Sequence, residues 1–311
     1  MPVSRPSSDE IQRASELVSQ CGNKTQVARV LGIPRTTLNG WLEIGEREYG
    51  IRLSSPDAKG RSVTALENGV VIVAADFHYW PGEPSTAHRA LVYFTKQLEP
   101  DILVANGDVC DFSTISRWPP LGWSSMPTAA EEIEIAQDRL QEWADAGGKA
   151  LRYWPVGNHD SRMETFIASK TPELKGIRGT SLTDHFAMWE PCYALWINDH
   201  PGGLVIKHRY KGGIHATWNN TIYAGRSIAT GHLHSQRITP FSNYNGTVYG
   251  VDVGCIADPY AEPFQYMEDN PRNHRSGFGI FTFKDGELLP PELVTVLKPG
   301  VVWFRGETFE V

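Results

Sequence analysis

The sequence is short of several things that would each define a class of protein. It has only four cysteines, Cys21, Cys110, Cys192 and Cys255, with no paired spacing to suggest a disulfide framework or a zinc knuckle, so reduced thiols are expected. No apolar stretch approaches the roughly 18 to 20 residues that span a bilayer, and no apolar signal core follows Met1–Arg5, so we expect no membrane association and a place in the cytoplasm. Basic residues are outnumbered, 29 Lys and Arg against 36 Asp and Glu for a formal net charge of −7. A protein that gripped nucleic acid with a broad basic face would not be built this way, so any such contact has to come from a local feature. What the chain does have is length: its 311 residues, 41% apolar, suffice for one large core and a small second domain.

The charge is unevenly split. Residues 1–42 hold five basic residues against three acids, while the rest of the chain is strongly acidic. In this segment Ile11, Ala14, Leu17, Val18 and Cys21 recur at three- and four-residue spacings, one apolar stripe of a helix. Asn23 and Gln26 form a capping-box pattern opening a second helix that faces Val27, Ala28 and Leu31 inward. Gly32-Ile33-Pro34 breaks the chain, and a third helix buries Leu38, Trp41 and Leu42, with Gly40 costing it about 1 kcal/mol relative to Ala. The arrangement resembles the helix-turn-helix family, in which the helix after the turn enters the DNA major groove. That resemblance implies DNA contacts from Arg35, Thr36, Thr37 and Asn39, although a three-helix bundle for oligomerisation or docking has the same pattern. The expected organisation is a helix-turn-helix domain over 1–44, a linker over 45–68 and a main domain over 69–311.

In the main domain the recurring pattern is an apolar strand followed by ligand-type residues. The run 70–75 delivers Asp76 and His78, 102–105 delivers Asp108 and Asp111, and 151–156 delivers Asn158, His159 and Asp160. Further on, 204–206 delivers His208 and 227–230 delivers His232 and His234. Helical patterns at about 86–98 and 129–146 separate the first three strands, which indicates an α/β fold with its site at the carboxyl ends of successive strands. Strand-like runs at 247–253, 278–283, 293–297 and 301–304 suggest a second sheet packed on the first. Carboxylate, imidazole and carboxamide groups recurring in this order point to a metal site.

The series Asp-x-His, Gly-Asp-x-x-Asp, Gly-Asn-His-Asp, His, Gly-His-x-His resembles the calcineurin-like metallophosphoesterase superfamily over about residues 70–235. The resemblance implies a two-sheet β-sandwich flanked by helices, two divalent metal ions, and hydrolysis of a phosphomonoester or phosphodiester. Manganese is the expected metal, with iron, zinc, nickel and magnesium as alternatives. By the same resemblance Asp76, His78 and His234 hold one ion, Asn158, His208 and His232 hold the other, and Asp108 bridges them. His159 is then the catalytic imidazole, with Asp111 accepting one ring N–H and raising its pKa. Two ions about 3.5 to 4 Å apart clamp a phosphate while a metal-bound water attacks phosphorus in line, and His159 protonates the leaving oxygen.

Departures from the family pattern narrow the expectation. Arg209 stands where the family has Gly after the isolated His, so His200 and His215 remain alternatives to His208. Phe112 stands where protein Ser/Thr phosphatases carry a phosphate-gripping Arg, which disfavours a protein substrate. Arg162, Lys207 or Arg209 could supply the missing cation, and Trp118 or Trp123, in the insert between two metal blocks, could stack on a base. Cys110 reads as a packed side chain and Asp160 as structural. The substrate expected is a phosphate ester, nucleic acid or nucleotide among the candidates, with DNA as a further partner through residues 1–44. The layout resembles phage- or prophage-encoded proteins of a bacterial host. The competing class is a DNA-binding or adaptor protein whose phosphoesterase domain is idle.

Overall fold

The computed structural model describes residues 6–21, 24–49, 60–116, 126–270 and 273–311, so Asn23, Trp118 and Trp123 lie outside the described residues. The chain forms two compact units, Met1–Gly60 and Arg61–Val311. No helix among the described residues is long and apolar enough to cross a membrane.

The first unit contains helices α1 (Ser8–Cys21), α2 (Lys24–Leu31) and α3 (Arg35–Tyr49). Ala14, Val18, Val27, Ala28, Leu38 and Leu42 form its core, with Leu17, Leu31 and Trp41 against it, as the helical spacing requires. Gly32 takes φ +68, a left-handed conformation that glycine adopts without strain. There the Ile33 and Gly32 N–H groups donate to the carbonyls of Ala28 at 3.0 Å and Arg29 at 3.2 Å, which closes the end of α2. Arg35 and Thr36 are exposed, and Thr37 and Asn39 half-buried, in the first turns of α3.

The second unit runs β1 (Arg61–Thr64), β2 (Gly69–Ala74), α4 (Thr86–Leu98), β3 (Ile102–Ala105), α5 (Ala129–Gly147), β4 (Leu151–Pro155), α6 (Ser161–Lys170), α7 (Leu182–His185), β5 (Glu190–Cys192), β6 (Ala194–Ile197) and β7 (Leu204–Ile206). It continues with α8 (Ala216–Ala224), β8 (Ser227–Thr230), β9 (Arg237–Asn243), β10 (Gly246–Asp252), β11 (Gly277–Lys284), β12 (Glu287–Leu288), β13 (Glu292–Lys298), β14 (Val301–Phe304) and β15 (Glu307–Glu310). The segment read as a linker over 45–68 is corrected at both ends. Helix α3 continues to Tyr49, and Arg61–Thr64 pairs in parallel with β6. A four-residue edge strand of Arg-Ser-Val-Thr carries too little apolar pattern to announce itself.

The fold is α/β, two sheets packed face to face with helices outside. One sheet has the order β1-β6-β7-β8-β10-β9, the other β15-β14-β13-β11-β2-β3-β4-β5 with β12 beside β11. Of the runs expected to form a second sheet, only 247–253 does so, while β11, β13 and β14 extend the sheet of β2 by antiparallel pairing of β11 with it. Strand β2 shows why its sequence is apolar throughout. Val71, Val73 and Ala75 face a core shared with Leu195, Ile197, Ile206, Ala229 and Val251 of the other sheet. Ile72 and Ala74 face the opposite core, with Leu91 and Phe94 of α4 and Leu140 and Trp143 of α5. A strand buried on both faces has no reason to alternate. Ser85 caps α4 by accepting from the His88 N–H, and Thr128 with Glu131 forms a capping box on α5. Both helices begin and end within one residue of their sequence pattern, and β2, β3 and β4 run parallel, so their carboxyl ends open on one side.

Candidate metal centre

The site residues lie on the turns that leave β2, β3, β4, β7 and β8. These turns are laced together by the backbone: the N–H of Asp76 donates to the carbonyl of Gly107 and that of His78 to the carbonyl of Asp108, each at 3.0 Å, and that of Gly231 to the carbonyl of His208 at 2.9 Å. Asp76, His78, Asp108, His232 and His234 all have positive φ, between 39° and 70°. A left-handed conformation at a residue with a side chain costs of order 1–3 kcal/mol and persists only where its surroundings enforce it. Five such residues on three adjacent turns mark where the fold gives up backbone comfort to aim side chains.

The aim converges. Potential ligand atoms of Asp76, His78 and His234 lie within 4.8 Å of one another, as do those of Asp108, His208 and His232 and those of His78, Asp111 and His159. Asp76 Oδ1 is 3.0 Å from His234 Nε2, and His208 Nε2 is 3.1 Å from Asp108 Oδ2 and 3.9 Å from Asp76 Oδ1. The carboxylates are further held by backbone, Asp76 Oδ2 accepting from the His232 N–H at 2.7 Å and Asp108 Oδ1 from the His159 N–H at 2.8 Å. Asp76, His78, Asp108, Asp111, His208 and His234 are buried, Asn158 and His159 half-buried, and His232 exposed at the rim. Of the alternatives to His208, His200 sits beside Glu287 and His215 is exposed before α8, both outside these clusters.

Three potential ligand atoms on these turns are buried outside hydrogen-bond geometry: His78 Nε2, His208 Nε2 and Asn158 Oδ1. His208 Nε2 is 3.1 Å from Asp108 Oδ2, an ion pair once the imidazole is protonated, so of the three only His78 Nε2 and Asn158 Oδ1 lack a polar partner. Such atoms are rare in folded proteins because each costs about 1–3 kcal/mol. All three are atoms that coordinate metals. The opposite nitrogens are already engaged, His78 Nδ1 with Asp111 at 3.0 Å and His208 Nδ1 with the Asn106 carbonyl at 2.8 Å, the outer hydrogen bond that fixes a ligating imidazole.

Charge makes the same point. Burial opposes ionisation of Asp76, Asp108 and Asp111, yet the imidazoles beside them outweigh it and hold all three below the usual carboxylate range. The protein alone answers these anions with protons: burial pulls His208 down, but Asp108 and Asp76 push it up to about 10. His234 and His159 are raised likewise against burial, by Asp76 and Asp108 respectively, whereas His232 is lowered by burial and the charge of His208. A hollow lined by three carboxylates and unpartnered imidazole and carboxamide atoms suits divalent cations.

His159 stands at the edge with its Nδ1 2.6 Å from Asp111 Oδ1 and its Nε2 3.8 Å from Asp108 Oδ2. Arg162, one turn along, donates to the Asp111 carbonyl at 2.7 Å and places Nη2 3.2 Å from His159 Nε2. Arg209 is exposed. Asp160 is a hub, accepting N–H groups from Asp108, Val109 and Gly157 and the indole N–H of Trp154, all at 2.8 to 2.9 Å. Buried Glu132, at the start of α5, takes the backbone N–H groups of Asp111, Phe112 and Ser113. Phe264 packs its ring 5.3 Å from His78 and 5.5 Å from His234, and His274 lies 4.5 Å from His234. Sequence spacing gave no sign of Glu132, Phe264 or His274, since none adjoins a ligand in the chain.

No family model matches the chain. It is similar to two proteins named gene 54 protein, from Mycobacterium phages D29 and L5. Identity is 26% and 24% over 239 residues, 69% of this chain and 91% of each phage protein. Among solved structures it is similar to Vps29 of Entamoeba histolytica complexed with zinc, at 15% identity and TM-score 0.41, covering 78% of this chain and 98% of that one. A structure titled as a novel archaeal phosphodiesterase matches at 11% identity and TM-score 0.37 over 73% of this chain and 99% of that one. Likenesses this distant assign no activity.

Proposed function

We propose that the chain is a calcineurin-like metallophosphoesterase that hydrolyses a phosphomonoester or phosphodiester with two divalent metal ions. The observation that carries this reading is the convergence of Asp76, His78 and His234 and of Asp108, His208 and His232, with His78 Nε2 and Asn158 Oδ1 buried and without a hydrogen bond. Asp76, His78 and His234 would hold one ion, Asn158, His208 and His232 the other, with Asp108 between them. When bound, such a pair supplies Lewis-acid polarisation of the phosphate and an activated water; manganese is the metal to test first.

The protein's own part is positional. Asp111 holds His159 Nδ1, which leaves Nε2 at the edge of the site. There it accepts from Arg162 Nη2 at 3.2 Å, and it would protonate a departing oxygen once that guanidinium turns to the phosphate and Nε2 takes up a proton. Arg162, fixed by the Asp111 carbonyl, directs its guanidinium to the same edge and would meet the non-bridging oxygens of a phosphate. The exposed Arg209 is a second candidate for that contact. The test is hydrolysis of a chromogenic phosphodiester and the matching monoester with Mn²⁺ added and then chelated. Turnover of either that stops on chelation supports the reading, and turnover of neither favours a DNA-binding or adaptor protein with an idle domain.

We also propose that residues 1–44 contact duplex DNA, through Arg35, Thr36, Thr37 and Asn39 at the start of α3. Support comes from the three-helix packing, the closed turn at Gly32 and the exposure of Arg35 and Thr36. Replacing Arg35 and Asn39 by Ala should weaken a salt-sensitive affinity for duplex DNA, and its absence from the intact chain would refute the assignment. A phage-type protein acting inside a bacterial host fits both readings.

A further inference from the structure

Beside the metal centre the surface changes character. His208 is followed at once by exposed Arg209, Tyr210 and Lys211 and preceded by Lys207, three cations within five residues of a chain whose net charge is −7. None of the three forms an ion pair among the described residues. The two lysines lie against rings instead. The Lys207 ammonium lies 4.8 Å from the centre of Tyr210, and that of Lys211 lies 5.4 Å from Tyr210 and 4.2 Å from Tyr223 of α8. The loop is fixed to that helix, since Asn220 Oδ1 accepts the Lys211 N–H at 2.9 Å. Tyr223 is 64% exposed, so its ring remains open to solvent although it holds an ammonium. Trp218, 44% exposed, stands edge-on to Phe241 at 5.2 Å on the same helix and the adjoining strand. The start of α8 also borders a cleft of about 310 Å³, lined by Ile214, Thr217, Leu233, Ser235 and Arg237, which reaches the turn that carries His232 and His234.

From this juxtaposition we infer that the loop 207–215 and α8 form a binding surface for single-stranded nucleic acid, leading its backbone toward the metal centre. The inference rests on the phosphoesterase reading and names its substrate class. Cations without carboxylate partners seek an external anion, and rings interleaved with them offer faces for bases. A duplex keeps its bases stacked on one another and would leave those rings unused. A free phosphate or small phosphoester would need the cations but not the aromatic faces.

The test is fluorescence anisotropy of the full chain with a labelled oligothymidylate of about 12 nucleotides, in chelator so that nothing is cleaved. Binding should weaken as salt rises. Tyr223→Ala should weaken it roughly 10-fold, Tyr223→Phe should bind like the parent, and Lys211→Ala should flatten the salt dependence by about one phosphate contact. An abasic strand of equal length should bind roughly 10-fold less tightly than the oligothymidylate. Equal affinity for abasic and normal strands, or no effect of Tyr223→Ala, overturns the proposal, and so does absence of binding, which would leave the surface to a protein partner. Small-ester hydrolysis by the parent separates the two readings. Hydrolysis without oligonucleotide binding removes only this surface, and binding without hydrolysis removes only the phosphoesterase assignment.

Discussion

Asp111 Oδ1 receives His159 Nδ1 at 2.6 Å, and this contact decides which nitrogen of His159 faces the hollow. The same oxygen takes His78 Nδ1 at 3.0 Å, so one carboxylate orients both the proposed acid and a proposed ligand. Substitution should separate these roles. His159→Ala should slow turnover by about 10²- to 10⁴-fold with metal content unchanged. Asp111→Asn should also loosen the metals, by about 10- to 100-fold in affinity, because it replaces the charged outer partner of His78 with a neutral carboxamide. Turnover and metal content measured on both variants check this, and full metal retention in Asp111→Asn would contradict the double role.

In the metal-free protein His208 is held up to about 10 by Asp108 and Asp76. Its proton therefore stabilises the metal-free fold fully below about 6.5, the value of an unfolded histidine, and that contribution is lost as pH rises toward about 10. A metal ion must displace the same proton. Between those limits metal affinity should rise with pH while metal-free stability falls, and titration calorimetry in buffers of different ionisation enthalpy should show proton release. Metal uptake with no proton released at pH 7 would remove His208 from the ligand set. Asp108→Asn should abolish turnover and weaken both ions.

How much of this could be read from the sequence depends on where the causes lie. Asp76, Asp108 and Asn158 were visible because each follows a strand buried on both faces, where an apolar run stops abruptly at a polar residue. Their meeting is a consequence of parallel pairing among β2, β3 and β4, which the intervening helices imply. Strand β1 hides in an apparent linker, because Arg-Ser-Val-Thr, with one apolar residue in four, lacks the period that reveals strands. Glu132 was invisible for another reason. It acts on Asp111 from 21 residues away along the chain, through a backbone turn, and no local pattern records that reach.

Glu132 gives a pH prediction of its own. Burial pushes its carboxyl up to about 7 although three backbone N–H groups favour the charged form. An unfolded glutamate ionises first as pH rises, so folded stability should fall between about 4.5 and about 7, by on the order of 3 kcal/mol, and level off above. Glu132→Gln, which keeps an acceptor but cannot ionise, should remove this component from the pH profile of urea unfolding. Glu132→Ala strands three buried donors and should cost about 2 to 4 kcal/mol. An unchanged profile in Glu132→Gln would show that the carboxyl is not the source.

Gly157 tests the placement of Asp108 from the opposite side. A Cβ built on Gly157 would fall on the Asp108 carboxylate and its backbone nitrogen, far inside van der Waals contact. The Asp108 turn cannot yield easily, because its N–H is held by Asp160 at 2.9 Å and its Oδ1 by the His159 N–H at 2.8 Å. Gly157→Ala should therefore displace the carboxylate, destabilise the fold by about 1 to 3 kcal/mol as overpacked cores do, and reduce metal affinity and turnover together. Gly148→Ala is the control. Unlike Gly157, that position has positive φ, +53, with open space around it, so it should cost stability through backbone strain alone and leave metal content intact. Equal metal loss in both variants would mean that general destabilisation, not the position of Asp108, governs occupancy.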